Sequence, residues 1–450
     1  MPMHDTRPEL KQLTDKYIED LCSQIRWKKA HKRVSAEMAS HIQDSSEAYI
    51  AQGIAPDDAI ELAIKDSGDP ATLGLEFDRV HRPAAQWGML AWVAGFLVLG
   101  LALSLFLFDE VGASRRLIFT GIGLAVMFAA YFADFTLLGK RPWLVCFGVV
   151  VACWGLFYFM QLWRALLFPP WQYQNITLVF PVVLAGVIFS QRSRGYIGLV
   201  FCLLAFLLLS HAAFVAPALS GFVHFSIAGM GLVIITILKG WFGVNRLAGV
   251  ALAFLPYFLA LLFMVFVLQQ GSWMTTRVIT AFNPSNDPVG MGFISLQIRA
   301  LLSQAYLLGE SPIPQFFPQR WLYGELVLVA VIHRFGWLPF TGVILGIGIF
   351  VAGLVAKARR QRSGLGFFVS MAVILTFGVQ VIMYILYNLG FVFSQISLPL
   401  VSPGGLALII NMGLVGFMLS VFRTGNVAID PPMRQLFKWE NGRVIVSFKR

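Results

Sequence analysis

The chain has 450 residues, of which 58% are hydrophobic and only 13% are charged. Soluble domains carry about 25% charged residues, so this composition, with a mean hydropathy of +0.73, excludes a soluble globular protein. It predicts an all-α, polytopic membrane protein. The four cysteines, Cys22, Cys146, Cys153 and Cys202, lie in a polar N-terminal segment or in apolar runs, so we expect no disulfide framework.

The net charge of +11 is divided unevenly along the chain. Residues 1–85 carry 11 Lys/Arg against 15 Asp/Glu, whereas residues 86–450 carry 23 against 8. The basic excess therefore belongs to the membrane part. Such an excess most often holds short loops on the cytoplasmic side, and less often binds an anionic ligand.

Residues 1–85 predict a small cytoplasmic helical domain without a cleaved signal peptide, because no basic start precedes an apolar core. One helix is expected in SAEMASHIQDSSEAYIAQG, ending at Gly53, and another in PDDAIELAIKDSG, from Pro56 to Gly68. With the following LGLEFDRVHRP, the segment resembles the permease prefix domain that precedes some Gram-positive membrane proteins. The resemblance implies a regulatory or structural role rather than a chemical one.

Residues 86–424 contain about ten apolar runs of spanning or near-spanning length, taking roughly 17 to 25 residues per helix. The runs lie near residues 87–108, 117–138, 143–162, 174–190, 195–216, 221–238, 247–268, 325–355, 366–393 and 404–422. An even number of spans places both termini on one side. The cations of alternate short loops then share the side of the N-terminal domain, which marks that side as cytoplasmic.

Two arginines are the exception to this charge pattern. Arg115 and Arg116 fall in the first outer loop, where they are either tolerated or contact a ligand. Residues 269–324 form a long outer loop rich in Pro, Gln, Asn and aromatic residues, and loops of this length are uncommon unless functional. In the tail, residues 425–450, Asn441-Gly442 lies between alternating apolar residues and predicts a short cytoplasmic hairpin.

A membrane enzyme that deprotonates a hydroxyl needs a carboxylate at the outer face or in a water-filled cavity. Glu325, in YGELVLVAVIHRFGWLPF, stands at the outer end of the eighth expected span with no other acid nearby. It is either a functional carboxylate or an interfacial one held by water or by Arg320. His211, His224 and His333 stand alone in apolar stretches, so no metal cluster is predicted.

The stretch SLPLVSPGGLALIINM, residues 397–412, combines helix breakers with membrane-level hydropathy. Irregular backbone at membrane depth is tolerated only where protein or a water-filled cavity supplies hydrogen bonds. A helix start exposed by glycines also favours an anion such as phosphate. The alternative is simple punctuation, with Pro-Gly-Gly acting as a turn before the last helix.

Two motifs resemble those of the SEDS family (shape, elongation, division and sporulation; the FtsW/RodA/SpoVE type). LPLVSPGG is similar to the family's L-P-x-x-S-x-G-G before its last helix, with Pro403 in place of the usual tyrosine. DPVGMGFISLQ is similar to the outer-loop pattern D-P-x-G-x-G-Y-Q-x-x-Q-S, with Phe293 in place of the tyrosine. The resemblance covers roughly residues 86–424.

This resemblance implies a peptidoglycan glycosyltransferase that polymerises lipid II, the undecaprenyl-pyrophosphate-linked disaccharide, beside a class B penicillin-binding protein. The family's critical acid at span eight falls on Glu325, which would act as general base for the acceptor 4-hydroxyl. The resemblance implies no definite cofactor, and a divalent cation at the pyrophosphate is compatible with the chemistry. The expected substrate contacts are Asp287, Gln297, Ser402, Gly404 and Gly405, with Arg115, Arg116, Arg277, Arg299 and Arg320 as candidate phosphate ligands.

Several family landmarks are altered. The segment that aligns with Q-P-S-E-L-x-K, residues 180–186, lacks the acid and the lysine, and residues 217–220 lack the aspartate of P-D-x-G. His333 and Arg334 replace an acidic pair. Three hypotheses therefore stay open: a glycosyltransferase, a catalytically degenerate scaffold that binds a penicillin-binding protein, and a lipid-linked precursor flippase or permease. Each places the chain in a bacterial plasma membrane, among membrane lipids, with cytoplasmic termini and no nucleic-acid partner.

Overall fold

The structure, a computed structural model, describes residues 8–81, 86–107, 110–163, 170–215, 219–268, 279–312, 326–391, 396–402, 405–424, 437–440 and 443–446. The chain divides into two compact units. The first comprises Met1–Ala85 with Arg423–Ile429, and the second comprises Gln86–Phe422 with Asp430–Arg450.

The first unit is built from four helices around an apolar core. They are α1 (Pro8–Ser23), α2 (Lys28–Ala51), α3 (Pro56–Asp66) and α4 (Pro70–His81). Leu21, Ala30 and Val34 are fully buried between them. Gly53 and Gly68 follow the ends of α2 and α3 with φ of +92° and +84°, a conformation that costs glycine little. The expected helix ends at these two glycines are confirmed.

The second unit is a bundle of apolar helices, which confirms the all-α, polytopic class. Its helices are α5 (Trp87–Leu107), α6 (Glu110–Phe132), α7 (Thr136–Lys140), α8 (Pro142–Trp163), α9 (Phe180–Gln191), α10 (Gly195–Val215), α11 (Leu219–Leu238), α12 (Arg246–Leu268), α13 (Phe293–Ser303), α14 (Val327–Phe335), α15 (Trp337–Arg359), α16 (Gly364–Asn388) and α17 (Leu406–Thr424). Two 3₁₀ segments, Pro170–Val179 and Pro284–Asn286, precede α9 and α13. Within the described residues, nine helical segments are long and apolar enough to cross a membrane.

The nine candidate spans differ in how deeply they are packed. The segments Gln174–Gln191 and Gly364–Asn388 are each 72% buried, and Leu406–Thr424 is 67% buried. By contrast, Ser114–Phe132 is 11% buried. The centre of the bundle therefore holds α9, α16 and α17, and α6 lies at its periphery.

The eighth expected span, 325–355, is wrong as a single helix. The structure breaks it at Gly336, whose φ is +96°, into the short α14 and the spanning α15. The break is fixed from outside the helix: a Cβ at Gly336 would lie 2.5 Å from the Leu307 carbonyl oxygen. The Trp337 N–H donates to the Tyr306 carbonyl (3.1 Å), so the loop 303–312 occupies the position where the helix would have continued.

The described part of the tail contains two short strands. β1 (Phe437–Glu440) pairs antiparallel with β2 (Arg443–Val446), with Phe437 opposite Val446 and Glu440 opposite Arg443. Asn441 and Gly442, the predicted turn, lie outside the described residues. The pairing has the register that a two-residue connection gives.

Candidate functional site

The two glycines of DPVGMG are explained by a tight turn around Asp287. Its carboxylate oxygens accept hydrogen bonds from the N–H groups of Gly290 (3.0 Å) and Met291 (2.8 Å). A Cβ at Gly290 would lie 2.6 Å from Asp287 Oδ1, and one at Gly292 would lie 2.7 Å from the Asp287 carbonyl oxygen. The half-buried Asp287 carboxylate thus organises its own loop, and the turn leads directly into α13.

Helix α13 packs against the segment that follows Glu325. Ile298 and Leu301 are fully buried in one cluster with Leu326, Val329 and Ala330 of the second segment. Two predicted site residues, Gln297 and Arg299, flank Ile298 on α13 and are half-buried. Glu325 itself lies outside the described residues. The structure therefore places α13, which follows the DPVGMG loop, against Leu326, the residue directly after Glu325.

The N-terminus of α14 is anchored by polar side chains of α16. The Val327 N–H donates to the Tyr384 hydroxyl (3.1 Å), and the Val329 N–H donates to Asn388 Oδ1 (3.2 Å). Both side chains are buried, at 0% and 1% exposure. A helix start leaves its first N–H groups without partners inside the helix, so these two contacts replace the water that an exposed helix start would bind.

Tyr384 and Asn388 belong to a buried polar stripe on α16, which comprises Thr376, Gln380, Tyr384 and Asn388. The four-residue spacing places these residues on one face of the helix. Gln380 Nε2 lies 3.5 Å from Ser397 Oγ, and His224 Nε2 lies 2.9 Å from the Thr376 carbonyl. The stripe therefore joins α11, the segment 396–402 and α14.

The sequence reasoning missed this stripe, although its signal was present. In the apolar run 364–388, polar residues recur every four positions towards its C-terminal end. Such a pattern in a spanning helix points to the interior of the bundle, because polar groups in a membrane need protein partners. A hydropathy average over the whole run does not reveal this pattern.

The stretch 396–402 is irregular backbone held by its own side chain. Ser402 Oγ accepts from the Leu398 N–H (2.7 Å), while the Ser402 N–H donates to the Leu398 carbonyl (3.1 Å). Leu400 has φ of +64°, which is uncommon for a residue with a Cβ. Gly405, just before α17, has φ of +83°. Ser402 thus closes the turn that its motif requires.

Arg116 supplies the hydrogen bonds that this turn lacks. Its Nη1 donates to the carbonyls of Val401 (2.8 Å) and Ser402 (2.6 Å), and its Nη2 donates to that of Leu400 (3.1 Å). The side chain is 0% exposed. Gly100 provides the space, because a Cβ there would overlap the guanidinium and lie 2.7 Å from the Val401 carbonyl. The assignment of Arg116 as a phosphate ligand is therefore corrected: its guanidinium is committed to backbone carbonyls and shut off from solvent.

The other candidate arginines occupy different surroundings. Arg115 is exposed, with Cζ 5.7 Å from the centre of the Phe119 ring. Arg299 lies against the end of α16, with Cζ 5.3 Å from the Phe391 ring centre. Arg277, Arg320 and Gly404 lie outside the described residues, so their predicted roles stay predictions.

His333 and Arg334, which stand where the SEDS motif has an acidic pair, lie in the last turn of α14, and Arg334 forms an ion pair there. Arg334, at the end of α14, pairs with Glu310, and both side chains are about half exposed. The Ser311 N–H donates to the His333 carbonyl (2.8 Å), so this loop is also held by its backbone. Among the described residues, no group of three His, Cys, Asp or Glu side chains could hold a metal ion.

No family model matches the chain. A probable peptidoglycan glycosyltransferase FtsW of Trichlorobacter lovleyi is 26% identical over 172 residues, covering 36% of this chain and 44% of the relative. The peptidoglycan glycosyltransferase MrdB of Escherichia coli K12 is 25% identical over 193 residues, covering 39% of this chain and 48% of the relative. The chain thus spans slightly less than half the length of the curated relatives it matches.

Solved structures share the fold. A chain described under "Structural coordination of polymerization and crosslinking by a peptidoglycan synthase complex" superposes with a TM-score of 0.58 at 21% identity. The rod shape determining protein RodA of Thermus thermophilus superposes with a TM-score of 0.50 at 18% identity. Each comparison covers 76% of this chain and 98% of the other. Sequence similarity and shared fold together confirm the resemblance that the two motifs indicated.

Proposed function

We propose that this chain, a SEDS-like multi-pass protein of the bacterial inner membrane, is a peptidoglycan glycosyltransferase that polymerises lipid II in cell shape, division or sporulation. The observation that carries the proposal is its sequence similarity to two curated peptidoglycan glycosyltransferases. Asp287 in the DPVGMG loop and Ser402 in the segment 396–402 lie in turns that their own side chains close by hydrogen bonds, which supports a site that positions a substrate.

In this proposal Glu325 is the general base. Its carboxylate takes the proton of the acceptor 4-hydroxyl as that oxygen attacks the anomeric carbon of the donor sugar. The bond from that carbon to the pyrophosphate oxygen breaks, and the lipid pyrophosphate leaves with the bonding electrons. Position matters because a general base must come within hydrogen-bond reach of its proton. The anchoring of Val327 and Val329 by α16 supports a fixed backbone two residues beyond Glu325.

The leaving pyrophosphate needs positive charge or hydrogen-bond donors. Arg299 lies on α13, next to Ile298 of the cluster that packs α13 against α14. Arg115 is exposed and can therefore contact an anion. Arg277, Arg320 and the glycines at the start of α17 complete the candidate set. A divalent cation from solution would neutralise the pyrophosphate charge in the same way, and added EDTA would then lower the rate of polymerisation. A site built only from arginines is insensitive to EDTA.

The test is glycan polymerisation by the purified full-length protein supplied with lipid II. Glu325→Gln should lower the rate by about 100-fold or more, because general-base catalysis contributes about 10² to 10⁴. Glu310→Gln is the matched control, since Glu310 is an outer carboxylate that pairs with Arg334. It should stay within about threefold of the parent chain. Equal activity of the parent and the Glu325 variant would remove the assignment.

A scaffold role is the second candidate, and one observation favours it. The segment that aligns with the family's Q-P-S-E-L-x-K is wholly apolar, and Phe180 and Leu184 within it are fully buried. A buried apolar segment cannot supply the charges that the family pattern holds there. In that case the chain binds a class B penicillin-binding protein without transferring sugar, and the Glu325→Gln variant complements a deletion strain as well as the parent chain does.

A further inference from the structure

A groove of about 790 Å³ lies between α5 and α15 on the membrane unit. Its lining is apolar and includes Gly88, Trp92, Gly95, Gly342 and Gly346. Trp92, Phe96 and Phe350 form an aromatic cluster beside it, with ring centroids 5.4 to 6.4 Å apart. The groove is therefore an elongated apolar concavity between two spanning helices.

Glycines keep the floor of this groove open. A Cβ at Gly88, Gly95 or Gly342 would meet nothing within 4 Å, and one at Gly346 would meet only the Trp92 ring at 4.0 Å. The described residues therefore leave the space above these four positions to an occupant from outside. In a bilayer, that occupant is either a lipid chain or another helix.

The charge at one end of the groove decides between these occupants. Gly88 lies two residues from Gln86, whose Oε1 accepts a hydrogen bond from Lys357 Nζ at 2.6 Å. Arg359, Arg360 and Arg362 follow Lys357 and are exposed. The sequence has no Asp or Glu between residues 326 and 429, so no carboxylate of that stretch neutralises these cations. The Gly88 end of the groove therefore lies beside Lys357, and three further cations follow within five residues of it. This arrangement matches an anionic lipid, with chains in the groove and a phosphate at these cations.

We propose that the α5–α15 groove binds one anionic glycerophospholipid, whose acyl chains lie over Gly88, Gly95, Gly342 and Gly346 and whose phosphate contacts Lys357 and the adjacent arginines. This inference does not depend on the proposed glycosyl transfer. The bound lipid would fill the space between α5 and α15, so the packing of α15 would depend on the lipid composition of the membrane.

The test is native mass spectrometry of the full-length protein released from nanodiscs that contain equal amounts of phosphatidylglycerol and phosphatidylcholine. One phosphatidylglycerol per chain should be retained, with about tenfold preference over phosphatidylcholine. Gly342→Leu with Gly346→Leu should fill the groove and lower retention about tenfold. Lys357→Gln with Arg360→Gln should abolish the preference between the two lipids.

Matched controls exist on the same helix. Gly348 and Gly353 also face open space but do not line the groove. Gly348→Leu with Gly353→Leu should therefore retain lipid as the parent does, and its thermal stability reports whether leucines are tolerated in α15. Equal retention of both lipids by the parent, or undiminished retention by the groove-filled variant, overturns the proposal. The proposal is also overturned if a membrane protein co-purifies in place of the lipid and its own helix crosslinks to the Gly342→Cys variant.

Discussion

Arg116 lies in an apolar helix, and its charge is buried because the neighbouring backbone demands donors. Arg116 is the third residue of the candidate span Ser114–Phe132, and burying an unpaired charge costs several kcal/mol. Three carbonyls of an irregular turn at membrane depth would cost a similar amount without partners. Joining the two offsets both costs, which explains why cation and turn occur together.

Replacing Arg116 should therefore damage the fold and not only a binding site. Hydrogen bonds to charged groups contribute about 1.5 to 3 kcal/mol each, so Arg116→Met should lower the free energy of unfolding by about 3 kcal/mol or more. Arg115→Met, at the exposed neighbour, should change it by less than about 0.5 kcal/mol. Thermal unfolding of the two detergent-solubilised variants measures the difference. Equal midpoints for the two variants would contradict the structural role.

The role of Arg116 could not have been read from the sequence. The paired arginines were visible as an exception to the charge pattern, so the need for a partner was predictable. The partners are carbonyls 284 to 286 residues further along the chain, and carbonyls carry no signature in a sequence. The irregular turn was predicted to need hydrogen bonds from protein or water. That its donor is Arg116 emerges only from the three-dimensional contacts.

Asp69 gives the first unit a defined dependence on pH. The hydrogen bond from the Thr72 hydroxyl (2.7 Å), and then that from the Thr72 N–H (2.9 Å), lower the pKa of Asp69 below its ordinary value. A depressed folded-state pKa means that the stabilisation is present above the unfolded-state pKa, about 3.9, and is lost as the pH falls through the lower folded-state value. The N-terminus of α4 should therefore loosen as the pH falls below about 4.

Hydrogen exchange of the full-length protein measures this effect, with rates corrected for the intrinsic pH dependence of exchange. In the parent chain, protection of the first turn of α4 should fall across that range. Asp69→Asn keeps an acceptor for Thr72 but cannot titrate, so its protection should stay level. A parallel fall in both chains would assign the loosening to other groups.

At the level of elements, the polar stripe on α16 sets the position of the start of α14, which follows Glu325 in the chain. Tyr384→Phe leaves the buried Val327 N–H without its acceptor, which costs about 1 to 3 kcal/mol. If Glu325 is the base, kcat should fall about tenfold or more while KM changes little, because binding contacts are kept and the base is displaced. Polymerisation kinetics with lipid II separate the two parameters.

Ser370→Ala is the control for this prediction. Ser370 lies on the same helix, and its buried Oγ has no hydrogen-bond partner among the described residues. Removing an unpaired hydroxyl should leave stability unchanged or slightly higher, and should leave kcat unchanged. A Tyr384→Phe variant with full kcat, but lowered stability, would limit the stripe to a structural role.

The element scale also shows where hydropathy succeeds and where it fails. Most of the expected runs correspond to helices, since length and apolarity decide whether a segment can span. The run 325–355 failed because hydropathy averaged over a spanning window passes over His333, Arg334 and Gly336, which stand together at the break. The cause is tertiary: the loop 303–312 donates hydrogen bonds to carbonyls before that glycine and accepts hydrogen bonds from N–H groups after it.

At the scale of the whole molecule, the proposed mechanism requires one orientation. Glycan polymerisation at the outer face needs the loop 303–312 outside, and the charge pattern predicts that the first unit lies in the cytoplasm. The four native cysteines are all buried and free, so the parent chain offers little background to thiol reagents. Single introduced cysteines can therefore report the side of each unit in intact cells.

Leu308→Cys and Ser45→Cys form the matched pair, because Leu308 is exposed in the loop before α14 and Ser45 is partly exposed on α2. A membrane-impermeant maleimide should label Leu308→Cys in intact cells, whereas Ser45→Cys should be labelled only after the inner membrane is opened. The parent chain should stay unlabelled in both cases. Labelling of Ser45→Cys in intact cells would place the first unit outside. The loop that precedes Glu325 would then face the cytoplasm, and polymerisation on the outer face by this carboxylate would be impossible.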